Sequence, residues 1–342
     1  MRFSVILLSV LLSTGAAAQA LHTFQNGEVA DADQINENFQ VLQEQLAGKS
    51  NIPQYQSNGW ASTGWEAIYV DCDANAGALE ESKDAIERGK NRVQVIIKGT
   101  CVLTDSFLIV SQHVFLDGSG EDSTDLFTCT SSATIRGVGG GPDPRYSLSL
   151  NVRNGGTLLM RCLNLESDNT VLLAAYTGSA IRTDAGVNAT NGNLSVVLRN
   201  SLFRTFFNRH YESISLDSGA YAEINPNGIS GSTPFSLGDV TVRARSSLNC
   251  RICGSDPPNG DYSSAWLGGT IDNLTLDTGS SLIIGLLVNG DVNISNVQAA
   301  LGSSILFDAR RSGCSDLFIG QSDIRSGSTI EKEINDQTNC VR

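Results

Sequence analysis

Charged residues, histidine and methionine are scarce in this sequence. Asp, Glu, Lys and Arg make up 17% of the 342 residues, against roughly 25% in ordinary soluble domains. Only three histidines and two methionines occur, so the density of side chains that commonly act in catalysis is low. Glycine is abundant, with 34 residues, and it is accompanied by many Ser, Thr and Asn. This composition argues against a helical protein and favours many short strands joined by turns.

Positive charge is also in deficit. The chain has 23 Lys and Arg against 36 Asp and Glu, a net charge of -13, and its sequence pI is near 4.6. A phosphate backbone and an anionic membrane surface would both be repelled by such a chain. We therefore exclude nucleic acid as a partner, and we interpret the acidity as favouring solubility outside the cell.

The first twenty residues have the three parts of a secretory signal peptide. Arg2 supplies the positive charge, residues 5–12 (VILLSVLL) form the apolar region, and Ala18-Gln19-Ala20 is a small-x-small cleavage site. The apolar run is too short for a membrane anchor, and no later stretch is long and apolar enough to span a bilayer. We expect cleavage after Ala20 and a secreted protein, extracellular, periplasmic or held at the cell surface.

Eight cysteines follow the predicted signal peptide, an even number that favours disulfides in an oxidising compartment. Connectivity does not follow from the sequence, and pairing of neighbours is our working hypothesis: Cys72 with Cys101, Cys129 with Cys162, Cys250 with Cys253, and Cys314 with Cys340. The CxxC at Cys250 lacks a second ligand pair for zinc and a thioredoxin-like context. It is therefore interpreted as a local structural disulfide.

Residues 21–50 are expected to form a separate helical stem. Asp31 or Asp33 can cap a helix that runs to about Leu46. Apolar residues follow a coiled-coil seam at Ile35, Phe39, Leu42 and Leu46. A helix this short needs a partner, and two alternatives remain: self-association through residues 31–46, as a trimer, or packing on the body of the chain. Residues 51–64 are read as a linker.

The body begins near residue 65 with a pattern of short apolar strands and one helix. A strand ending in Asp71-Cys72-Asp73 precedes a helix at 78–88, with Leu79, Ala85 and Ile86 on one side, and further strands end at Gly99-Thr100-Cys101 and at Asp117-Gly118-Ser119-Gly120. This order resembles the start of secreted right-handed parallel β-helix proteins, the pectate-lyase-like fold. The resemblance implies that the helix caps the N-terminal end of the coil and that the two cysteines join its first turns.

A short unit recurs in the second half of the chain. Polar–apolar alternation, typical of a strand with one face inward, is followed by a small-small-apolar step. The copies begin at Asp239, Asn273, Asp291 and Asp316. Their spacing of 34, 18 and 25 residues, taken from these positions, suits solenoid rungs with loops of variable length. We predict an all-β fold, a right-handed parallel β-helix over 65–342, with an antiparallel sandwich as the alternative.

Catalytic candidates are few. Many members of the pectate-lyase-like fold cleave acidic polysaccharides, but neither the paired-Asp pattern beside Gly-His-Gly nor the Arg-x-Pro-x-x-Arg pattern occurs here. The remaining candidates are two acid–base pairs, Asp308 with Arg310 and Asp323 with Arg325, and a His210–Glu212 pair in which Glu212 would orient a His210 base. The acid–base pairs have i, i+2 spacing and so share a face, and we expect them to be solvated surface ion pairs rather than catalytic groups.

An acidic cluster is the candidate metal site. It contains Asp117, Glu121, Asp122 and Asp125, oxygen ligands of the kind that Ca²⁺ prefers, although the spacing matches no EF-hand loop. No cofactor is otherwise implied. Asn-x-Ser/Thr sequences occur at Asn188, Asn193, Asn273 and Asn293 and matter only in a host that glycosylates.

Two functions from different classes remain. The first is a non-catalytic surface or matrix protein that binds glycans through a solenoid carried on an oligomeric stem. The second is a secreted polysaccharide lyase or hydrolase acting on an acidic polysaccharide. Fold alone does not decide between them. We favour the first because catalytic residue types are sparse, and the net negative charge weakens the case for a polyanionic substrate.

Overall fold

The computed structural model describes residues 65–88, 91–119, 129, 131–139, 145–184, 186–190, 193–205, 210–224, 235–252, 269–286, 290–309 and 315–334. The predicted signal peptide, stem and linker, residues 1–64, lie outside this part of the chain.

Strands dominate the described residues. They are β1 (Glu66–Asp71), β2 (Arg92–Lys98), β3 (Thr100–Leu103), β4 (Phe107–Val110), β5 (His113–Asp117), β6 (Ala133–Gly137), β7 (Tyr146–Arg153), β8 (Thr157–Arg161), β9 (Leu163–Ser167), β10 (Thr170–Tyr176), β11 (Ala180–Thr183), β12 (Asn188–Thr190), β13 (Leu194–Arg199), β14 (Leu202–Thr205), β15 (His210–Asp217), β16 (Tyr221–Ile224), β17 (Phe235–Val242), β18 (Ser247–Ile252), β19 (Gly269–Leu276), β20 (Ser281–Leu286), β21 (Val292–Ala299), β22 (Ser304–Ala309), β23 (Leu317–Ile324) and β24 (Thr329–Ile334). Two short helical segments, α1 (Ala78–Glu81) and α2 (Lys83–Arg88), lie between β1 and β2.

These strands form three sheets in which neighbouring strands are parallel. Sheet A has eleven strands, in the order β1-β2-β5-β8-β11-β14-β16-β18-β20-β22-β24. Sheet C has nine, in the order β23-β21-β19-β17-β15-β13-β10-β7-β4, and sheet B has four, β12-β9-β6-β3. From β2 to β13 the chain visits A, B and C in turn, and each visit adds one strand to the stack. The all-β prediction is confirmed, and three stacked parallel sheets are compatible with a β-helix solenoid.

The core lies between the inner faces of the sheets. In β22, for example, Ile305, Phe307 and Ala309 are buried while the residues between them are partly exposed. The same alternation fills the interior with aliphatic side chains from every sheet. Because consecutive strand residues point to opposite faces, every second residue is left on the outer surface, where ligands have access.

The turn from sheet C to sheet A is a repeated corner. Its first residues have positive φ, at Asn154, Thr177, Asn200, Ser218 and Ala244 in several rungs and at Gly279, Gly302 and Gly327 in later ones. A buried serine follows in most rungs, at Ser179, Ser201, Ser246, Ser280 and Ser303. The hydroxyls of Ser179, Ser201 and Ser303 each donate to a nearby backbone carbonyl, as when Ser303 donates to Ala300 O at 2.6 Å. The small-small-apolar step of the sequence is therefore this corner.

The single helix expected at 78–88 is instead two segments that meet at Ser82. The Ser82 hydroxyl donates to the carbonyl oxygen of Ala78 at 2.7 Å, a side-chain bond that competes with the helical ladder and bends helices. Leu79 and Ile86 are buried, whereas Ala85 is exposed. In the described residues there is therefore no continuous helix to act as the predicted cap.

The pairing register of the strands also corrects the starting positions of two copies of the repeated unit. Asn273 pairs with Asn296, and Asn296 pairs with Gln321, so the copies we placed at Asp291 and Asp316 are each five residues early. The reason is that the strands of sheet C are long. β19 and β21 each span eight residues, and both halves of such a strand alternate in the same way.

Candidate functional site

Each later strand of sheet C places two outward residues in succession. In β15, Tyr211 and Ile214 are both buried, and the two residues between them, Glu212 and Ser213, face outward. The same break in alternation recurs in β19 and β21. Because strands pair in register at these positions, the extra outward residues line up from strand to strand. The outer face of sheet C therefore carries more side chains than simple alternation provides.

One of these lines is a row of polar side chains that we name the ladder: Asp239, Asn273, Asn296 and Gln321, one residue from each of β17, β19, β21 and β23. Hydrogen bonds join its first three members. Asn273 Nδ2 donates to Asp239 Oδ1 at 2.7 Å. Asn296 Nδ2 donates to Asn273 Oδ1 at 2.8 Å. All four side chains are exposed. An amide has two donors and two acceptor sites, so each ladder asparagine keeps hydrogen-bonding capacity for a ligand.

The surroundings of the ladder are polar and acidic. The line beside it contains Asp272 and Ser295, both exposed, and Gly238 and Gly320. A Cβ at either glycine would collide with the backbone of the neighbouring strand, so the surface stays flat there. With strands about 4.8 Å apart, the ladder offers oriented amide and carboxylate groups at a regular repeat. Such an array suits a ligand rich in hydroxyl groups.

The His210–Glu212 candidate lies on this same outer face. Both residues are exposed at the start of β15, with the buried Tyr211 between them. Glu212 Oε2 accepts a hydrogen bond of 2.5 Å from Thr170 Oγ1. The carboxylate that we expected to orient His210 is thus held by a hydroxyl of β10.

The two acid–base pairs lie apart. Asp308 is in β22 of sheet A, and Asp323 is in β23 of sheet C. Asp323 and Arg325 are both exposed, but no salt bridge joins them, so the surface ion pair we expected there is not formed. Arg310 lies outside the described residues.

Asp117, the first residue of the acidic cluster, is in a buried ion pair. Its side chain is 1% exposed and that of Arg161 is 6% exposed. Arg161 Nε and Nη2 lie 3.3 and 3.2 Å from the two carboxylate oxygens. Ser119 Oγ donates to Asp117 Oδ1 at 2.6 Å and accepts from Arg161 at 2.7 Å. Both carboxylate oxygens of Asp117 are therefore engaged by protein donors.

The other three acidic residues of this cluster, Glu121, Asp122 and Asp125, lie outside the described residues. Among the side chains that the structure describes, no group of three or more His, Cys, Asp or Glu could hold a metal ion.

Among the described residues there are two disulfides, Cys72–Cys101 and Cys129–Cys162, the first two of the neighbour pairs. Such bonds form in an oxidising environment. Cys250 is a buried free thiol, which contradicts the expected pair with Cys253. The reason is orientation, because Cys250 is an inward residue of β18 and only 2% exposed. Burial raises the pKa of this thiol to about 12. Cys253, Cys314 and Cys340 lie outside the described residues.

The outer face of sheet A carries charged residues that the sequence analysis missed. Arg182 Nε lies 2.9 Å from Asp184 Oδ1, and Arg204 Nε lies 3.4 Å from Glu223 Oε2. Arg204 and Glu223 come from neighbouring strands in register. Sequence spacing reveals the first pair but not the second, which depends on the length of chain, including β15, between β14 and β16. These arginines are already neutralised by carboxylates.

Comparisons with protein-family models, curated proteins and solved structures found no match. No helix in the described part of the chain has the length and apolarity needed to cross a membrane.

Proposed function

We propose that this protein is a non-catalytic, secreted solenoid that binds glycans on a cell surface or in a matrix through the ladder of sheet C. The observation that carries the proposal is the bonded series Asp239–Asn273–Asn296. Its amides are exposed and pre-oriented by their neighbours, so less side-chain entropy is lost when a ligand binds. The nearby carboxylates Asp239 and Asp272 favour neutral or cationic glycans over anionic ones.

The finer features of the architecture belong to the same proposal. We infer that the three parallel sheets form a right-handed, pectate-lyase-like coil. The signal peptide directs the chain to the outside of the cell. The stem, through residues 31–46, joins copies into a trimer, which would multiply the avidity of a weak glycan site.

The test is a binding assay with a panel of neutral polysaccharides. The protein comes from a host that does not glycosylate asparagine, because Asn273 lies in an Asn-x-Ser/Thr sequence. Asn273→Ala and Asn296→Ala should each weaken binding roughly three- to tenfold, because each removes one or two ligand hydrogen bonds. The matched control is Asn164→Ala, a partly exposed asparagine of sheet B whose Nδ2 donates to Ser132. It should bind as the wild type does.

Unchanged binding in both ladder variants would contradict the proposal. So would the appearance of new reducing or unsaturated ends when the wild-type protein is incubated with the glycans, because the second function, cleavage, would then be present.

A further inference from the structure

A second row of side chains runs along the corner where the strands of sheet C end. We name it the corner row. It takes one outward residue from each rung: Arg153, Tyr176, Arg199, Asp217, Arg243, Asp277, Ala300 and Arg325. Strand register and backbone hydrogen bonds place these residues side by side, since Tyr176 pairs with Arg199 and Arg199 with Asp217. The amides of the later members each donate to the preceding rung. The row is therefore fixed by the backbone of the solenoid.

The arginines of this row are exposed and unneutralised. Arg153, Arg199, Arg243 and Arg325 are all exposed, and none forms an ion pair with the described part of the chain. This contrasts with Arg182 and Arg204 on sheet A, which are paired with carboxylates. In a chain of net charge -13, an edge on which four arginines outnumber two aspartates is a local reversal of sign.

The spacing of the row is regular over its first half. Arg153, Arg199 and Arg243 occur on every second strand of sheet C, so their backbones lie about 9.5 Å apart, two strand spacings. Tyr176 stands between the first two, and the guanidinium of Arg153 lies 5.5 Å from its ring centroid. Asp217 stands between Arg199 and Arg243. Cationic positions therefore alternate with positions suited to stacking or to accepting a hydrogen bond.

This alternation selects a particular class of polyanion. In a linear polysaccharide with an acidic sugar at every second ring, the anionic groups would meet arginines, which bind carboxylates or sulfates with bidentate geometry. The neutral rings would meet Tyr176 and Asp217. A chain with an acid on every ring would bring anions against Asp217. Nucleic acid is disfavoured further, because its phosphates follow one another at about 3.4 Å along the axis of each strand of a duplex.

We propose that the corner row binds a linear polyanionic polysaccharide in which acidic sugars alternate with neutral ones. This site lies at the edge of sheet C, apart from the ladder, and does not depend on the ladder for its action.

The experiment uses the full chain with hyaluronan, which alternates an acidic and a neutral sugar, as the probe. Polygalacturonate, acidic at every ring, and duplex DNA are the comparators. The wild type should bind hyaluronan most tightly, with an affinity that falls as salt rises. The double variant Arg199→Gln/Arg243→Gln should lose at least about tenfold in affinity and show a shallower salt dependence, because charge-assisted hydrogen bonds are lost.

The matched control is Arg92→Gln/Arg136→Gln, two exposed arginines of sheets A and B, which changes the net charge equally. It should retain hyaluronan binding. Equal losses in the two double variants would overturn the proposal, as would tighter binding of polygalacturonate or DNA than of hyaluronan. Two measurements distinguish the corner row from the ladder. Arg199→Gln/Arg243→Gln should keep the binding of neutral glycans, and Asn273→Ala should keep the binding of hyaluronan.

Discussion

Asp117 belongs to an acidic cluster in the sequence, but in the fold Arg161 neutralises its charge. The two side chains face each other from β5 and β8, and register pairs the residues directly. Desolvating both charges is expensive, and only good geometry with further hydrogen bonds offsets that cost. Here Ser119 and Gln94 supply those bonds. The carboxylate therefore serves as a structural anion of the first rungs.

Cys250 makes the unfolding free energy of the protein depend on pH. Its pKa in the folded protein is raised from 9.0 to about 12 by burial, so the neutral thiol is favoured by folding. That contribution to stability is complete below pH 9 and is lost as pH rises from 9 towards 12. Between pH 8 and pH 10 the wild type should lose about 1 kcal/mol more unfolding free energy than Cys250→Ala, measured by urea titration. If the unfolding free energies of the two proteins changed equally with pH, the assigned burial of Cys250 would be contradicted.

At the scale of the element, the corner between sheets C and A stores strain. Several rungs use glycine at a positive φ, but Thr177 occupies this region with φ 57°, which is rare for a β-branched residue. The neighbouring Gly178 has φ 73° and open space around its Cβ position. The backbone geometry, rather than crowding, is therefore the source of strain at this corner.

Replacing Thr177 by Asn should stabilise the protein. Asparagine tolerates the left-handed region, as Asn154 and Asn200 do in equivalent corners. We expect a gain of roughly 0.5 to 1 kcal/mol in unfolding free energy, a fraction of the cost of that region for ordinary residues. The control is Thr275→Asn, within β19, which should destabilise because asparagine is unfavourable in strands. A loss of stability in Thr177→Asn would show that the corner is not strained.

For the whole molecule, the C-terminal end of the stack needs protection. β23 and β24 are the end strands of sheets C and A, and open strand edges invite association with other chains. Apolar side chains are exposed near this end, with Leu301 at 57% and Phe318 at 42%. Lys332 lies in register with the buried Phe307, yet its ammonium donates to Asp316 at 3.0 Å and to Leu317 O at 2.7 Å. An inward lysine thus places a charge over the end of the core.

Lys332→Leu should therefore promote end-to-end association. We expect the molar mass from light scattering to rise with concentration beyond that of the wild type, because the variant replaces a charge with an apolar side chain beside the last strands of the described stack. Lys98→Leu, at an exposed lysine of β2, is the matched control and should leave the mass unchanged. Identical masses for Lys332→Leu and the wild type would refute a protective role.

Much of the architecture follows from the sequence. Alternation in segments such as Asn273–Leu276 marks strands with one inward face, and the small-small step marks the corner. Both are local consequences of the two-residue period and of the conformational freedom of turn residues. The helix at 78–88 was predicted less well, because the bond from the Ser82 hydroxyl to the Ala78 carbonyl oxygen is not visible in apolar spacing.

Which residues meet across strands could not be predicted from the local pattern and follows from the fold. Alternation tells whether a side chain points inward or outward, but its neighbour on the next rung depends on the length of the chain between the two strands. That length varies, so Asn273 lies beside Asn296 rather than Asp291, and Arg199 and Arg243 join one corner row across 44 residues of chain. Composition and local alternation predict a low-charge, glycine-rich stack of strands. The surfaces that would carry its function were set by register, because parallel pairing brings distant residues within about 5 Å of each other.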